Sequence, residues 1–574
     1  MGNLKNLLLL VIFMGTLASL VSAQAQMADQ TQPRAENRAT LSAVTSINQA
    51  IDRIIAREHD QMAAFRRYNP IIETYIQDLK PDKELGEVPV HDHYFLGQAS
   101  LAKGVIYTSM LASRRGKRDQ LNPLSHLGSY VTSSYVPDGF LEMIYIDRNG
   151  LDRQHYRFDY VGREFLGDVR CVVFDLTPLP QSGKGRFKGR IWAEDQNYTI
   201  VRFNGVYTPI VQIRGLNLHF DSWRLNLRPG VWLPAFIFSQ ESDSKDYLGK
   251  SVWFKSQTRF WGYELKSASH PEEFTAVTIE SSAVEDQAGA LAQDRSPIEA
   301  EREFQHQAES NILERLERTG LLAPPGEVDR VLERVVKNLE ATSNLDIEPE
   351  VHCRVLLTST LESFSVGHTI VLSRGLLDIL PDEASLAVML ARELANIIVT
   401  KPSIDPWGFN DTTNVTPVEA LSRFSFKVPP DQEQVATPKA VGLLKNSPYK
   451  DKLGNAALFL KQLDADSKSL SALINPHLGN RVFLYTLLTH SAPQLQSDKL
   501  DPIAALPIGA RIKLDPWSDS VELSKAKPVP LVSARGKMPF EVTPFTPYLT
   551  RYQRPTLSAD HAEADLARQE QQMQ

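Results

Sequence analysis

From about residue 88 to 268 the chain repeats one pattern: short runs rich in β-branched and aromatic residues, each closed by turn residues. Gly189-Arg190-Ile191-Trp192-Ala193, the polar turn from Glu194 to Asn197, and Tyr198-Thr199-Ile200-Val201-Arg202-Phe203 make one hairpin pattern. Phe220 to Leu227, the turn Arg228-Pro229-Gly230, and Val231 to Phe238 make another. Successive long hairpins of this kind build a curved antiparallel sheet.

Ahead of the strands, Leu41, Val44, Ile47, Ile51, Ile54 and Ile55 recur at the spacing of one helical face, predicting a helix from Thr40 to about Arg67. A second short helix is expected over Ile71 to Leu79, before Lys80-Pro81-Asp82. Residues 40–268 thus read as helices plus an antiparallel β domain. This region looks like the half-barrel domains of periplasmic lipoprotein carriers. That resemblance implies a concave face able to hold an acyl chain, and hence a lipid or lipoprotein carrier. A packed sheet covered by the N-terminal helices is the other expectation.

The chain's start limits where such a protein works. Lys5 precedes an apolar run from Leu7 to Val21, and Val21-Ser22-Ala23 supplies small residues for cleavage, the pattern of a secretory signal peptide over residues 1–23. The run is shorter than the ~20 apolar residues of a membrane span, and no later stretch is long and apolar enough to cross one. A polar lead-in follows over 24–39. The expectation is an exported protein, periplasmic or extracellular, soluble after cleavage.

The length of 574 residues suggests three or four folded units, and 42% hydrophobic with 23% charged residues is an ordinary globular balance. A net charge of -7 argues against nucleic acid as a partner. The basic cluster Ser113 to Arg118 reads as a solvated hairpin loop. Cys171 and Cys353, in different domains, exclude a disulfide framework and read as two buried free thiols or a single bridge.

Residues 269–300 lose periodicity and mark a linker. Helical patterns resume at Ile298 to Leu316 and Val328 to Leu339, strands at Cys353 to Leu357 and Thr369 to Ser373, and helices then dominate to about Leu488. A short β appendix over 491–555 includes Ala510 to Leu514 and Ser520 to Leu523, and a polar tail fills 556–574. Pro381, Asp382 and Glu383 suit a helix start. The helix that follows buries a stripe of Leu386, Leu390, Leu394, Ile397 and Ile398.

Three separated runs in this half carry a resemblance: Ser363-Phe364-Ser365-Val366-Gly367-His368 through Asp378, Arg392-Glu393-Leu394-Ala395-Asn396, and Glu433-Gln434-Val435-Ala436-Thr437. In order and spacing they resemble the HtpX / CAAX prenyl protease family of zinc metallopeptidases, whose members carry His-Glu-x-x-His on the first helix and Glu-x-x-Ala-Asp on the second. The resemblance covers about residues 310 to 490. It implies a mainly helical zincin-like domain over 301–490 with a small mixed sheet, so the whole chain reads as an α+β multidomain protein.

It further implies that Arg392, Asn396 and Glu433 stand at the zinc-ligand positions and Glu393 at the general-base position. Two histidines at i and i+4 reach one zinc because they share a helical face. An arginine has no lone pair to give, Asn396 is a weak neutral donor, and Thr437 replaces a supporting acid. No cofactor is therefore expected, zinc being needed only if the family function survives, and Glu393 is idle. Arg392 is expected to pair with Glu433 or Glu393 and supply the missing ion's charge. By the same resemblance Thr369, Ile370, Val371, Leu372 and Ser373 form an edge strand that takes peptides by strand addition.

His352, His368, His477, His490 and the His91-Asp92-His93 loop read as ordinary polar residues, and Gly183-Lys184-Gly185-Arg186 as a turn. The leading expectation is an inactive peptidase-fold protein that binds polypeptide clients or envelope proteins as chaperone, adaptor or quality-control factor. A metalloendopeptidase with unorthodox ligands and a lipid carrier are the alternatives.

Overall fold

The computed structural model describes residues 46–82, 86–102, 106–111, 140–183, 185–208, 219–245, 251–263, 297–399, 421, 424–481, 512–515, 520–523, 542 and 547–552. The signal segment, the lead-in, the basic cluster at 113–118, most of the linker, His490 and the polar tail lie outside these residues. No described helix is long and apolar enough to cross a membrane.

Helix α1 (46–65) precedes ten strands: β1 (Ile71–Asp82), β2 (Gly86–Ser100), β3 (Ile106–Ser109), β4 (Tyr156–Leu166), β5 (Val169–Pro178), β6 (Phe187–Glu194), β7 (Ile200–Tyr207), β8 (His219–Arg228), β9 (Val231–Lys245) and β10 (Ser251–Trp261). They form one antiparallel sheet in the order β3-β2-β1-β10-β9-β8-β7-β6-β5-β4. Both hairpins expected from sequence are present, as β6–β7 and β8–β9. The second closes on the pair Arg228 and Val231. Its turn needs Gly230, whose φ of 74° strains any other residue.

The segment Ile71 to Leu79 is strand, not helix. Ile72 and Ile76 enter the core on the α1 face, while Ile71 and Tyr75 enter the core on the opposite face. Glu73 and Gln77 share that opposite face and are buried too, as acceptors for Ser359 and for the Val542 amide. A strand buried on both faces loses its period of two, and its apolar residues mimic helical spacing.

Ile51, Ile54 and Phe65 of α1, with Phe140 to Leu151, pack on Phe174, Phe187, Phe203, Phe220 and Phe254 of the sheet. The N-terminal helix thus covers this face. A cavity of about 70 Å³ remains between Met62, Arg66, Leu101, Tyr145 and Arg148. The opposite face carries Trp192, Trp223, Trp232 and Trp261, whose core is continuous with that of the C-terminal half.

That half contains α2 (Pro297–Arg318), α3 (Glu327–Thr342), β11 (His352–Leu356), β12 (Glu362–Val366), β13 (Thr369–Ser373), α4 (Arg374–Ile379), α5 (Glu383–Val399), α6 (Pro430–Asn446), α7 (Leu453–Asp466), α8 (Ser471–Ile474) and β14 (Asn480–Arg481). The helix α2 begins inside the expected linker, which therefore ends by residue 296. The four strands form a mixed sheet in the order β11-β13-β12-β14, parallel only between β11 and β13. A separate hairpin, β15 (Ile512–Asp515) with β16 (Ser520–Leu523), lies in the expected appendix. The chain is an α+β protein.

The halves are locked by polar contacts as well as by shared core. Glu73 accepts from the Ser359 amide and hydroxyl, both at 2.6 Å, and from Tyr94 at 2.7 Å. Asp92 accepts from the amides of Ala472 and Leu473 at 2.7 and 2.8 Å. His91-Asp92-His93 thus lies within β2 rather than in a loop.

Candidate functional site

The helix α5 is buried from Ala384 to Asn396, on its polar stripe as well as its apolar one. Asp382 opens it, its carboxylate accepting from the Ser385 amide at 2.8 Å and hydroxyl at 2.7 Å. Ionisable groups on such a helix must find partners inside the protein, because a buried unpaired charge is expensive.

Arg392 and Glu393 are 3% and 0% exposed. One Arg392 nitrogen, Nη2, donates to Glu433 Oε1 in the first turn of α6, and Nη1 donates at 2.9 Å to the Arg481 carbonyl of β14. Glu393 accepts from Ser363 Oγ of β12 at 2.6 Å and from Asn396 Nδ2 at 3.2 Å, with Arg392 Nη1 at 4.0 Å. Four residues singled out in sequence, Arg392, Glu393, Asn396 and Glu433, are therefore gathered in one place. Thr437 turns away and donates to its own helix at the Glu433 carbonyl, 2.7 Å.

These donors do not suit zinc. Glu433 is engaged by a guanidinium, the i and i+4 positions hold no imidazole, and Glu393 is spanned by two hydrogen-bond donors. Among the described residues no three His, Cys, Asp or Glu side chains converge on a point where an ion could sit. His368 lies beside Glu309, His352 beside Glu333, and His477 stacks on Tyr94.

One sequence expectation is corrected. The run Thr369, Ile370, Val371, Leu372, Ser373 is not an edge: β13 lies between β11 and β12, and all five residues are buried. A short continuous apolar run suits an interior strand. The strand beside α5 is β12, and its outer side is paired with the chain's own Asn480–Arg481. Ser363, which the sequence offers only as the start of a resembling run, and Arg481, which it does not single out, complete the site. Arg481 arrives through the pairing of β12 with β14, more than a hundred residues later, and Ser363 through the packing of β12 on α5; no local pattern announces either.

A second feature lies on the ten-stranded sheet. Its last strand, β4, has one neighbour among the described residues, and Tyr160, Val161 and Phe165 on it are exposed, Phe165 to 66%. Phe158 and Tyr160 lean on Phe174 of β5, on the α1 face.

No family model and no curated protein matches the chain. Among solved structures, it is similar to an outer membrane lipoprotein-sorting protein domain from Vibrio parahaemolyticus, at 10% identity over 35% of this chain and 88% of that one, TM-score 0.18. A DUF1329 family protein from Desulfovibrio piger is similar at 9% identity over 40% and 99%, TM-score 0.21. MucB of Pseudomonas aeruginosa, solved with MucA, is similar at 9% over 37% and 94%, TM-score 0.11. Superpositions this loose decide nothing about ligand or partner.

Proposed function

We propose that this chain is a non-catalytic binding protein of the cell envelope, its C-terminal half a relative of the HtpX / CAAX prenyl protease family that has lost peptidase chemistry. One observation supports the reading: Arg392, at a position to which the resemblance assigns a zinc ligand, is bonded to Glu433 and to the Arg481 carbonyl. Its charge offsets that of the ligand carboxylate, which would otherwise be a partly buried anion without a partner. The strand expected to take a substrate strand, Thr369 to Ser373, is interior, and the outer side of its neighbour β12 is paired with β14. Export follows from the Lys5 to Ala23 pattern. Partners are envelope polypeptides or apolar ligands.

The test is elemental analysis of protein purified without chelator, together with casein hydrolysis with and without a chelator. We expect sub-stoichiometric zinc and no chelator-sensitive cleavage. Stoichiometric zinc, with hydrolysis lost in Glu393→Gln, would overturn the proposal.

A second reading, a lipid carrier built on the ten-stranded sheet, draws support from the exposed aromatics Tyr160 and Phe165 at the margin of the α1 face. The face itself is filled by α1 and residues 140–151, and the 70 Å³ cavity there is far below the roughly 300–1,000 Å³ of a small-molecule site. A carrier would have to use the margin or displace α1. Native mass spectrometry of protein purified without detergent separates the readings: co-purified lipid favours the carrier, its absence the polypeptide binder.

A further inference from the structure

Among the described residues β4 is an open edge of 11 residues, while at the other end of the sheet the four-residue β3 covers Gly97 to Ser100 of β2. In the small sheet, the outer side of β11 is covered by Leu321 to Ala323, through the bonds Ala323 N to Val355 O and Leu357 N to Leu321 O. β4 is thus the longest described strand left without a partner along the whole of one side. Its outward N–H and C=O groups form a ladder that another strand completes.

The side chains along that ladder are sorted by face. Arg157, Asp159 and Glu164 stand opposite Thr177, Asp175 and Cys171, on the face away from α1, and are satisfied locally. Arg157 Nε pairs with Asp159 at 2.9 Å, and Glu164 accepts from Trp192 at 2.6 Å. On the α1 face stand Phe158, Tyr160, Arg163 and Phe165, opposite Leu176, Phe174, Val172 and Arg170. Here the aromatics are wholly or partly exposed. Arg163 is exposed as well, and among the described residues it has no acidic partner. A bulge at Val161 separates the two halves of the strand.

We infer that β4 is a docking edge for an extended polypeptide, added as an eleventh strand, with apolar side chains at alternate positions and an acidic side chain near Arg163. A backbone ladder needs a partner with its own amides, which an acyl chain lacks. The aromatic margin on one face rewards alternate apolar residues, and Arg163 rewards an acid. Natural edges are blunted by charges and bulges. Here Arg157 and Asp159 on one face neutralise one another, whereas Arg163 on the other has no acidic partner among the described residues. This inference rests on the polypeptide-binding part of the proposed function and not on the loss of peptidase chemistry at α5, so zinc in the protein would overturn the latter and leave the docking edge standing.

The probe is a fluorescein-labelled twelve-residue peptide alternating Val or Leu with Ser or Thr and carrying one Glu, titrated with the full mature chain by anisotropy. A matched peptide N-methylated at alternate amides keeps every side chain but cannot pair on one side. We expect N-methylation and the double change Tyr160→Ser with Phe165→Ser each to weaken binding at least tenfold. Arg163→Glu should weaken it several-fold and recover when the peptide's Glu becomes Lys. These positions are exposed, and unchanged circular dichroism verifies folding. Equal binding of the methylated peptide, no response to Arg163→Glu, or no binding at all overturns the inference. So does displacement of the peptide by phosphatidylglycerol vesicles with lipid retained, which makes the margin a lipid site. Self-association in sedimentation, lost on Phe165→Ser, overturns it too, by making a second copy the occupant.

Discussion

Arg224 of β8 and Glu58 of α1 meet as a two-pronged ion pair, Nη1 to Oε2 at 2.6 Å and Nη2 to Oε1 at 2.7 Å, with neither side chain reaching solvent. The guanidinium also donates to the carbonyls of Ile200 and Ile144 and sits near the rings of Phe65 and Phe203. It therefore ties α1 and residues 140–151 to the sheet at one point. Removing one partner leaves the other charge buried, which costs about 3–5 kcal/mol, whereas replacing both with apolar side chains is often neutral. Glu58→Ala and Arg224→Ala should each lower stability by that amount in urea unfolding. Glu58→Leu with Arg224→Met should recover more than half. A double variant as weak as the singles would mean that the pair itself, not the burial of unpaired charge, holds the helix down.

The join between the two halves makes a second prediction. Glu73→Ala strands the amide and hydroxyl of Ser359 and the hydroxyl of Tyr94, each worth about 1–3 kcal/mol when buried without an acceptor. Wild-type unfolding followed by tryptophan fluorescence, which samples mainly the sheet, should coincide with unfolding followed by helical circular dichroism. In Glu73→Ala combined with Asp92→Ala the two curves should separate. Coincident curves in the variant would show that the shared apolar core alone couples the halves.

What sequence could reveal here depended on how local the cause was. The β6–β7 and β8–β9 hairpins were readable because their turns carry Pro, Gly and polar residues between alternating runs. β1 was not, because Glu73 and Gln77 are buried in an interface with residues nearly three hundred and five hundred positions away. In the site, the spacing of Arg392, Glu393 and Asn396 on one helix was local and legible. The interior place of β13 was not, since it depends on which strands flank it. The same holds for Ser363, whose hydroxyl meets Glu393 across β12 and α5.

Neither thiol should behave as a reactive cysteine. Burial pushes Cys171 up to about 12, helped by Glu194 and Asp195, and burial raises Cys353 well above its ordinary value. The two are free rather than bridged. A colorimetric thiol reagent at pH 8 should label neither in the native protein and two per chain in guanidinium. Rapid native labelling of one would place it in a segment that opens on its own.

The last prediction concerns acid. Asp329 is buried at the start of α3, where it accepts the Gly326 amide at 2.7 Å. Burial raises its pKa to about 6, against the tendency of that amide and of Arg354 to lower it. In the unfolded chain an aspartate titrates near ~3.9. Between those values the folded protein holds the proton that the unfolded chain has released, so acidification favours folding. The contribution is fully present below about pH 4 and is lost as pH rises through about 6, a difference on the order of 2 kcal/mol. Asp329→Asn keeps an oxygen for the Gly326 amide and cannot titrate. The stability of the variant relative to wild type, from urea midpoints, should therefore rise by about that much between pH 4.5 and 7.5. A difference independent of pH would mean that Asp329 stays ionised in the folded protein, and that the amide and Arg354 outweigh its burial.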